Sequence, residues 1–101
     1  MPQVIYHRLI DRDIRCALEY YESEGGSPLA DRFFSEVEAT LEEIEVRPTS
    51  HHFSDGGLRK ATLDSFPYHI LYEVDSEAIW IAVLRHDRRH PNFGLRRKRG
   101  G

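Results

Sequence analysis

The sequence predicts an α+β fold of order β-α-α-β-β-β, with an N-terminal strand and a helical hairpin packed on one face of a mainly antiparallel sheet. Three observations carry that prediction. Apolar residues recur at helical spacing through the first half, a Gly25-Gly26-Ser27-Pro28 break interrupts them, and three strand-like segments separated by short turns fill the second half. Helices and strands are segregated along the chain, which argues against alternating βαβ units.

Val4-Ile5-Tyr6 is β-branched and aromatic and ends before Asp11, as a short first strand would. From Asp11, a candidate N-cap, the residues Ile14, Ala17, Leu18 and Tyr21 fall on one helix face, and Gly25-Gly26 stops the run. Ser27-Pro28 restarts a helix whose buried stripe is Leu29, Phe33, Val37, Leu41 and Ile44, ending at Arg47-Pro48. Its glutamates, Glu36, Glu38, Glu42, Glu43 and Glu45, form a solvated outer face and are assigned no chemistry.

Residues 49–57 read as a loop, followed by strands at 58–65, 68–74 and 78–86. A two-residue turn at Phe66-Pro67 would pair Ser65 with Tyr68, Leu63 with Ile70 and Ala61 with Tyr72, all on the core side. Lys60, Thr62, His69 and Leu71 then face away from the helices. Strict alternation puts Ile79, Ile81 and Val83 on the core side and Trp80, Ala82, Leu84 and His86 on the outer side. Leu71, Trp80 and Leu84 would form an exposed apolar patch that something outside the helices must cover.

Composition sets the outer bounds. A chain of 101 residues, 40% hydrophobic and 31% charged, is one folded domain over 1–101, with 90–101 read as a basic C-terminal tail. Neither a bilayer-spanning apolar run nor a leader-like start is visible, so a cytoplasmic protein is expected. Cys16 is the sole cysteine, which excludes an internal disulfide, and His51-His52 has no third ligand at a metal-binding spacing. No metal or cofactor is expected. The net charge of −3 conceals an asymmetry: residues 1–84 carry 7 basic and 16 acidic side chains, net −9, and residues 85–101 carry 7 and 1, net +6. That basic segment suits local contact with phosphate or with an acidic protein.

Gly57-Leu58-Arg59, the run from Phe66-Pro67-Tyr68 to Val74, and Ala82-Val83-Leu84-Arg85-His86-Asp87-Arg88-Arg89-His90-Pro91 follow the helical hairpin in that order. Together they resemble the RelE/ParE toxin superfamily over nearly the whole chain. The resemblance implies the toxin of a type II toxin-antitoxin system, a growth inhibitor often described as a plasmid stabilisation protein and neutralised by a cognate antitoxin. The patch of Leu71, Trp80 and Leu84 would be the antitoxin-binding surface.

Two mechanisms share this fold: ParE-like members bind DNA gyrase, and RelE-like members cleave messenger RNA on the ribosome. For the nuclease, the resemblance assigns catalytic roles to Lys60, His69 and His86, with histidines where the family pattern has arginines, Thr62 at a second lysine position and Phe93 near a tyrosine position. Phenylalanine moves no proton, and neutral histidines stabilise an oxyanion less well than arginines. The expectation is therefore a ParE-like binding toxin whose target contact is made by Arg85, Arg88, Arg89, Arg96 and Arg97. The alternatives are a ribosome-dependent endoribonuclease and a non-toxic antitoxin-binding module. His86 and His69 also have inert readings, as a strand-end histidine and as a partner of Asp64, and Arg59 reads as structural.

Overall fold

The computed structural model describes residues 3–99. Strand β1 (Gln3–Tyr6) leads into helix α1 (Ile10–Val46), followed by β2 (Arg59–Thr62), β3 (Tyr68–Val74) and β4 (Ala78–His86). Single 3₁₀ turns lie at Asp55–Gly57 and Leu95–Arg97. The four strands form one sheet in the order β1-β4-β3-β2, parallel between β1 and β4 and antiparallel elsewhere. The predicted α+β class and element order hold.

The helical hairpin is present, although the helical hydrogen bonding runs nearly unbroken. A straight helix of 37 residues would be about 55 Å long, whereas the longest dimension is 40 Å. Gly26 turns the chain, at φ 74° and ψ −174°, a conformation that residues bearing a Cβ avoid. Tyr21 and Phe33 thereby come to 5.0 Å between ring centroids, twelve residues apart in sequence. Helix entry differs from the expectation at Asp11: helical geometry begins at Ile10, and His7 provides the acceptors, its carbonyl for Ile10 N–H and its Nδ1 for Leu9 N–H.

The turn between β2 and β3 is longer than predicted. Leu63 N–H bonds the Tyr68 carbonyl, and Ala61 pairs with Ile70, a shift of two residues from the expected register. An even shift keeps the paired side chains of β2 and β3 on their predicted faces. Phe66 stays within the longer turn, at 64–67, but its ring folds into the core, 4.9 Å from Tyr21 and 5.1 Å from Phe33, while Ser65 leaves the core and its N–H bonds Glu36 Oε1.

The consequential departure is a β-bulge in β4. Leu71 pairs with Val83 and Tyr72 with Ile81, so Ala82 is the extra residue. Every side chain beyond it changes face. Leu84 joins Ile79 and Ile81 in the helix-side core, whereas Val83 and Ala82 join Leu58 and Leu71 in a second apolar cluster on the outer face. Phe93, Leu95 and Trp80 pack over that second cluster, so the chain's own C-terminal segment covers the outer face.

Candidate functional site

Residues of the predicted site lie around the C-terminal end of β4, on both faces of the sheet. Arg85 and His69 are direct cross-strand partners in β4 and β3. Their side chains project to the outer face and are buried, 4% and 2% exposed. Arg85 Nε donates to His69 Nε2 at 2.8 Å, and His69 Nδ1 meets Asp87 Oδ1 at 2.7 Å. An arginine only donates, so Nε2 must carry the lone pair and Nδ1 the proton, which it donates to the carboxylate. Burial pushes the His69 pKa below its ordinary 6.5, reinforced by Lys60 and Arg85 and opposed by Asp87.

The remaining donors of Arg85 hold loops. Nη1 donates to the carbonyls of Pro91 (2.8 Å) and Phe93 (2.9 Å), and Nη2 to Asp55 Oδ2 (2.6 Å). This planar fork joins β4, the 3₁₀ turn at Asp55–Gly57 and the segment entering the tail. Arg85, expected as a surface contact, is instead a buried structural cation.

Arg97 is likewise withdrawn from solvent. Its guanidinium grips Asp13 of α1 in a bidentate pair (2.5 and 3.2 Å), with side chains 11% and 6% exposed. Asp13 Oδ2 also accepts the N–H of Leu84, at a point of β4 beyond the last residue that β1 pairs. The Arg97 carbonyl accepts the indole N–H of Trp80 at 2.7 Å, and Arg99 pairs with Asp75. Residues 91–99 are therefore a packed strap.

The other predicted residues separate. Lys60 and His69 share the outer face, but the bulge turns His86 to the opposite one, where its ring meets Tyr68 edge-on at 5.2 Å and its Nδ1 accepts the N–H of Arg88. His86 lies in a cleft of about 170 Å³ with Arg12, Cys16, Tyr68 and Arg89. Arg88, Arg89 and Arg96 are exposed, and Arg89 stacks over Phe93 at 4.0 Å. Leu71 and Leu84 are buried in different clusters and Trp80 is half-buried, so no common patch exists. The bulge and the strap are the physical reasons. His69 pairs with Asp87 rather than Asp64, and Arg59 binds the carbonyls of Thr49 and His51 while stacking on Phe53.

Sequence reasoning passed over three carboxylates. Asp87 was available as a signal, two residues after Arg85 within the terminal signature, but Asp55 and Asp13 stand 30 and 84 residues from their arginines and left no trace in local pattern. Among the described residues, no group of His, Cys, Asp and Glu is arranged to hold a metal ion, and no helix is long and apolar enough to cross a membrane.

A helical hairpin is laid on one side of this mixed sheet, and a basic segment closes the other. Residues 4–91 match the family model of the ParE toxin of the type II toxin-antitoxin system, parDE, and the chain belongs to that family. A solved chain of the chromosomal ParDE TA system from P. aeruginosa has the same fold, with a TM-score of 0.67 at 16% identity, covering 85% of this chain and 96% of that one. No curated protein sequence matches the chain.

Proposed function

We propose that this chain is a growth-inhibiting toxin, neutralised in the cytoplasm by a cognate antitoxin, that acts by binding a target such as DNA gyrase and not by cutting RNA. Family membership supports the pairing with an antitoxin. The observation favouring a binding mechanism is the commitment of His69 and Arg85 to each other and to Asp87, Asp55 and two carbonyls.

RNA transesterification needs a base for the 2′-hydroxyl, an acid for the leaving oxygen and cations for the developing charge. His69 has both ring nitrogens engaged, and His86 stands on the other face of the sheet. Among the matched nuclease positions, Lys60 alone offers a cation with no ion-pair partner among the described residues. By contrast, Arg88 and Arg89 project from the turn after β4, where electrostatic complementarity serves recognition.

Induced expression tests the reading, together with a supercoiling assay on purified gyrase. Filamentation, intact messenger and inhibited supercoiling are expected. Cut messenger on ribosomes would establish the nuclease, and unimpaired growth the inert module.

A further inference from the structure

We propose that the cleft between the first turns of α1 and the end of β4 binds a small phosphate dianion, as inorganic phosphate or as the phosphoryl group of a small phosphomonoester. Arg12, Tyr68, His86 and Arg89 line this cleft, on the face of the sheet opposite Lys60 and His69. Each of the four brings a hydrogen-bond donor. Arg88 N–H donates to His86 Nδ1 at 3.0 Å, so that nitrogen carries the lone pair and Nε2 the proton. That proton, the Tyr68 hydroxyl and the guanidinium groups of Arg12 and Arg89 have no hydrogen-bonding or ion-pair acceptor among the described residues. Burial raises the Tyr68 pKa above its ordinary 10.0, helped by Tyr20 and Cys16 and opposed by Arg89, so the hydroxyl keeps its proton.

The other charged side chains that line the cleft are already balanced, Asp13 by Arg97 and Arg85 by Asp55. Arg12 and Arg89 are left as two uncompensated cations. The Phe93 ring lies 4.0 Å from the Arg89 guanidinium and orients it at the cleft. The lining therefore offers donors and positive charge with no free acceptor, and its complement is a ligand that only accepts.

Charge and size choose the occupant. A phosphate near pH 7 carries about −1.5 to −2 and has three strongly accepting oxygens, which matches two free guanidinium groups and leaves lone pairs for His86 Nε2–H and the Tyr68 hydroxyl. A carboxylate would leave one arginine unbalanced. The cleft of about 170 Å³ has the space of roughly five or six waters, below the ~300 Å³ of pockets that enclose drug-sized ligands. A phosphoryl group fits, with the rest of an ester outside. A long polyanion would extend past the cleft onto a body that carries net −9 over residues 1–84. Arg89 is the one residue shared with the proposed target surface, and binding is read on the purified chain without a target, so its failure leaves that reading standing.

The test titrates inorganic phosphate, glycerol 3-phosphate and acetate, at matched ionic strength, into the full chain while the His86 ring protons are followed by NMR. Alkylation of Cys16, exposed in the same cleft, by the neutral reagent iodoacetamide reads occupancy independently. Phosphate should half-saturate at or below about 5 mM, bind about tenfold or more tightly than acetate, and slow the alkylation. Arg12→Gln/Arg89→Gln, which changes only exposed side chains, should weaken phosphate about tenfold or more, whereas Arg15→Gln, on the same helix outside the cleft, should not. Glycerol 3-phosphate binding as tightly as phosphate or more so makes an ester the ligand, and weaker binding makes it the free ion. No saturation by about 50 mM, equal binding of acetate, or equal losses in the two variants overturns the proposal. An oligouridylate that displaces phosphate at micromolar concentration and depends on Arg12 and Arg89 also overturns it and makes the cleft a nucleic-acid surface.

Discussion

Arg85 and His69, opposite each other on β4 and β3, share a 2.8 Å hydrogen bond in which the guanidinium donates to a neutral imidazole. A buried arginine beside a histidine is tolerable only because Asp55 balances its charge and Asp87 holds the ring in the accepting tautomer. The same guanidinium fastens the start of the C-terminal strap through Pro91 and Phe93.

Replacing Arg85 by Met should therefore destabilise the protein by about 3–5 kcal/mol, because it leaves Asp55, His69 and two carbonyls without their donor. Arg85→Lys should recover little of this, since an ammonium cannot reach all four acceptors from one plane. Urea denaturation measures both, and a loss below about 1 kcal/mol for Arg85→Met would show that the Arg85 contacts contribute little to folding.

Stability should also depend on pH through His69. Burial places its folded pKa below the ordinary 6.5, so as pH falls through 6.5 the unfolded chain takes up a proton that the native ring refuses. The stability is present above 6.5 and is lost as the pH falls toward the folded value. The thermal midpoint should drop between about pH 7.5 and about pH 5.5, and His69→Gln, which can accept from Arg85 and donate to Asp87 without titrating, should flatten that drop. His7, also lowered by burial and by Arg97, accounts for residual slope. An identical slope in the two proteins would assign the dependence elsewhere.

Removing residues 95–101 should cost about 3 kcal/mol or more, against the near-neutral effect expected of a solvated tail. The deletion removes the partner of Asp13, which is 6% exposed in the intact fold, strips the indole N–H of Trp80 of its acceptor and takes Leu95 off the cluster of Leu71 and Val83. Denaturation midpoint and a red shift of Trp80 fluorescence report it together. An unchanged spectrum would mean that the strap does not cover the indole in solution.

Gly94 stands in the left-handed region at φ 82°, and a Cβ there would fall 2.8 Å from Val83 Cγ2. Gly94→Ala should destabilise by about 1–3 kcal/mol, whereas alanine at Gly57, also at positive φ but with open space around it, should pay only the backbone strain. Equal losses at the two sites would show that contact with Val83 adds nothing.

What the sequence determined by itself is the local and periodic part of this protein: the helical stripes, the stop at Gly25-Gly26, the strand segments, the hairpin's core-side residues and, through the order of three motifs, the family. Those signals survive because period and turn chemistry are properties of neighbouring residues, and a register shift of two leaves faces unchanged. Tertiary structure decided the site. One extra residue at Ala82 reversed the faces of Leu84 and His86, and alternation cannot reveal a bulge whose only cause is the fit of β4 against its neighbours. The fate of the basic segment was equally hidden, since Arg85 and Arg97 read as solvent-facing charge until Asp55 and Asp13, distant in sequence and adjacent only in the fold, made burying them favourable.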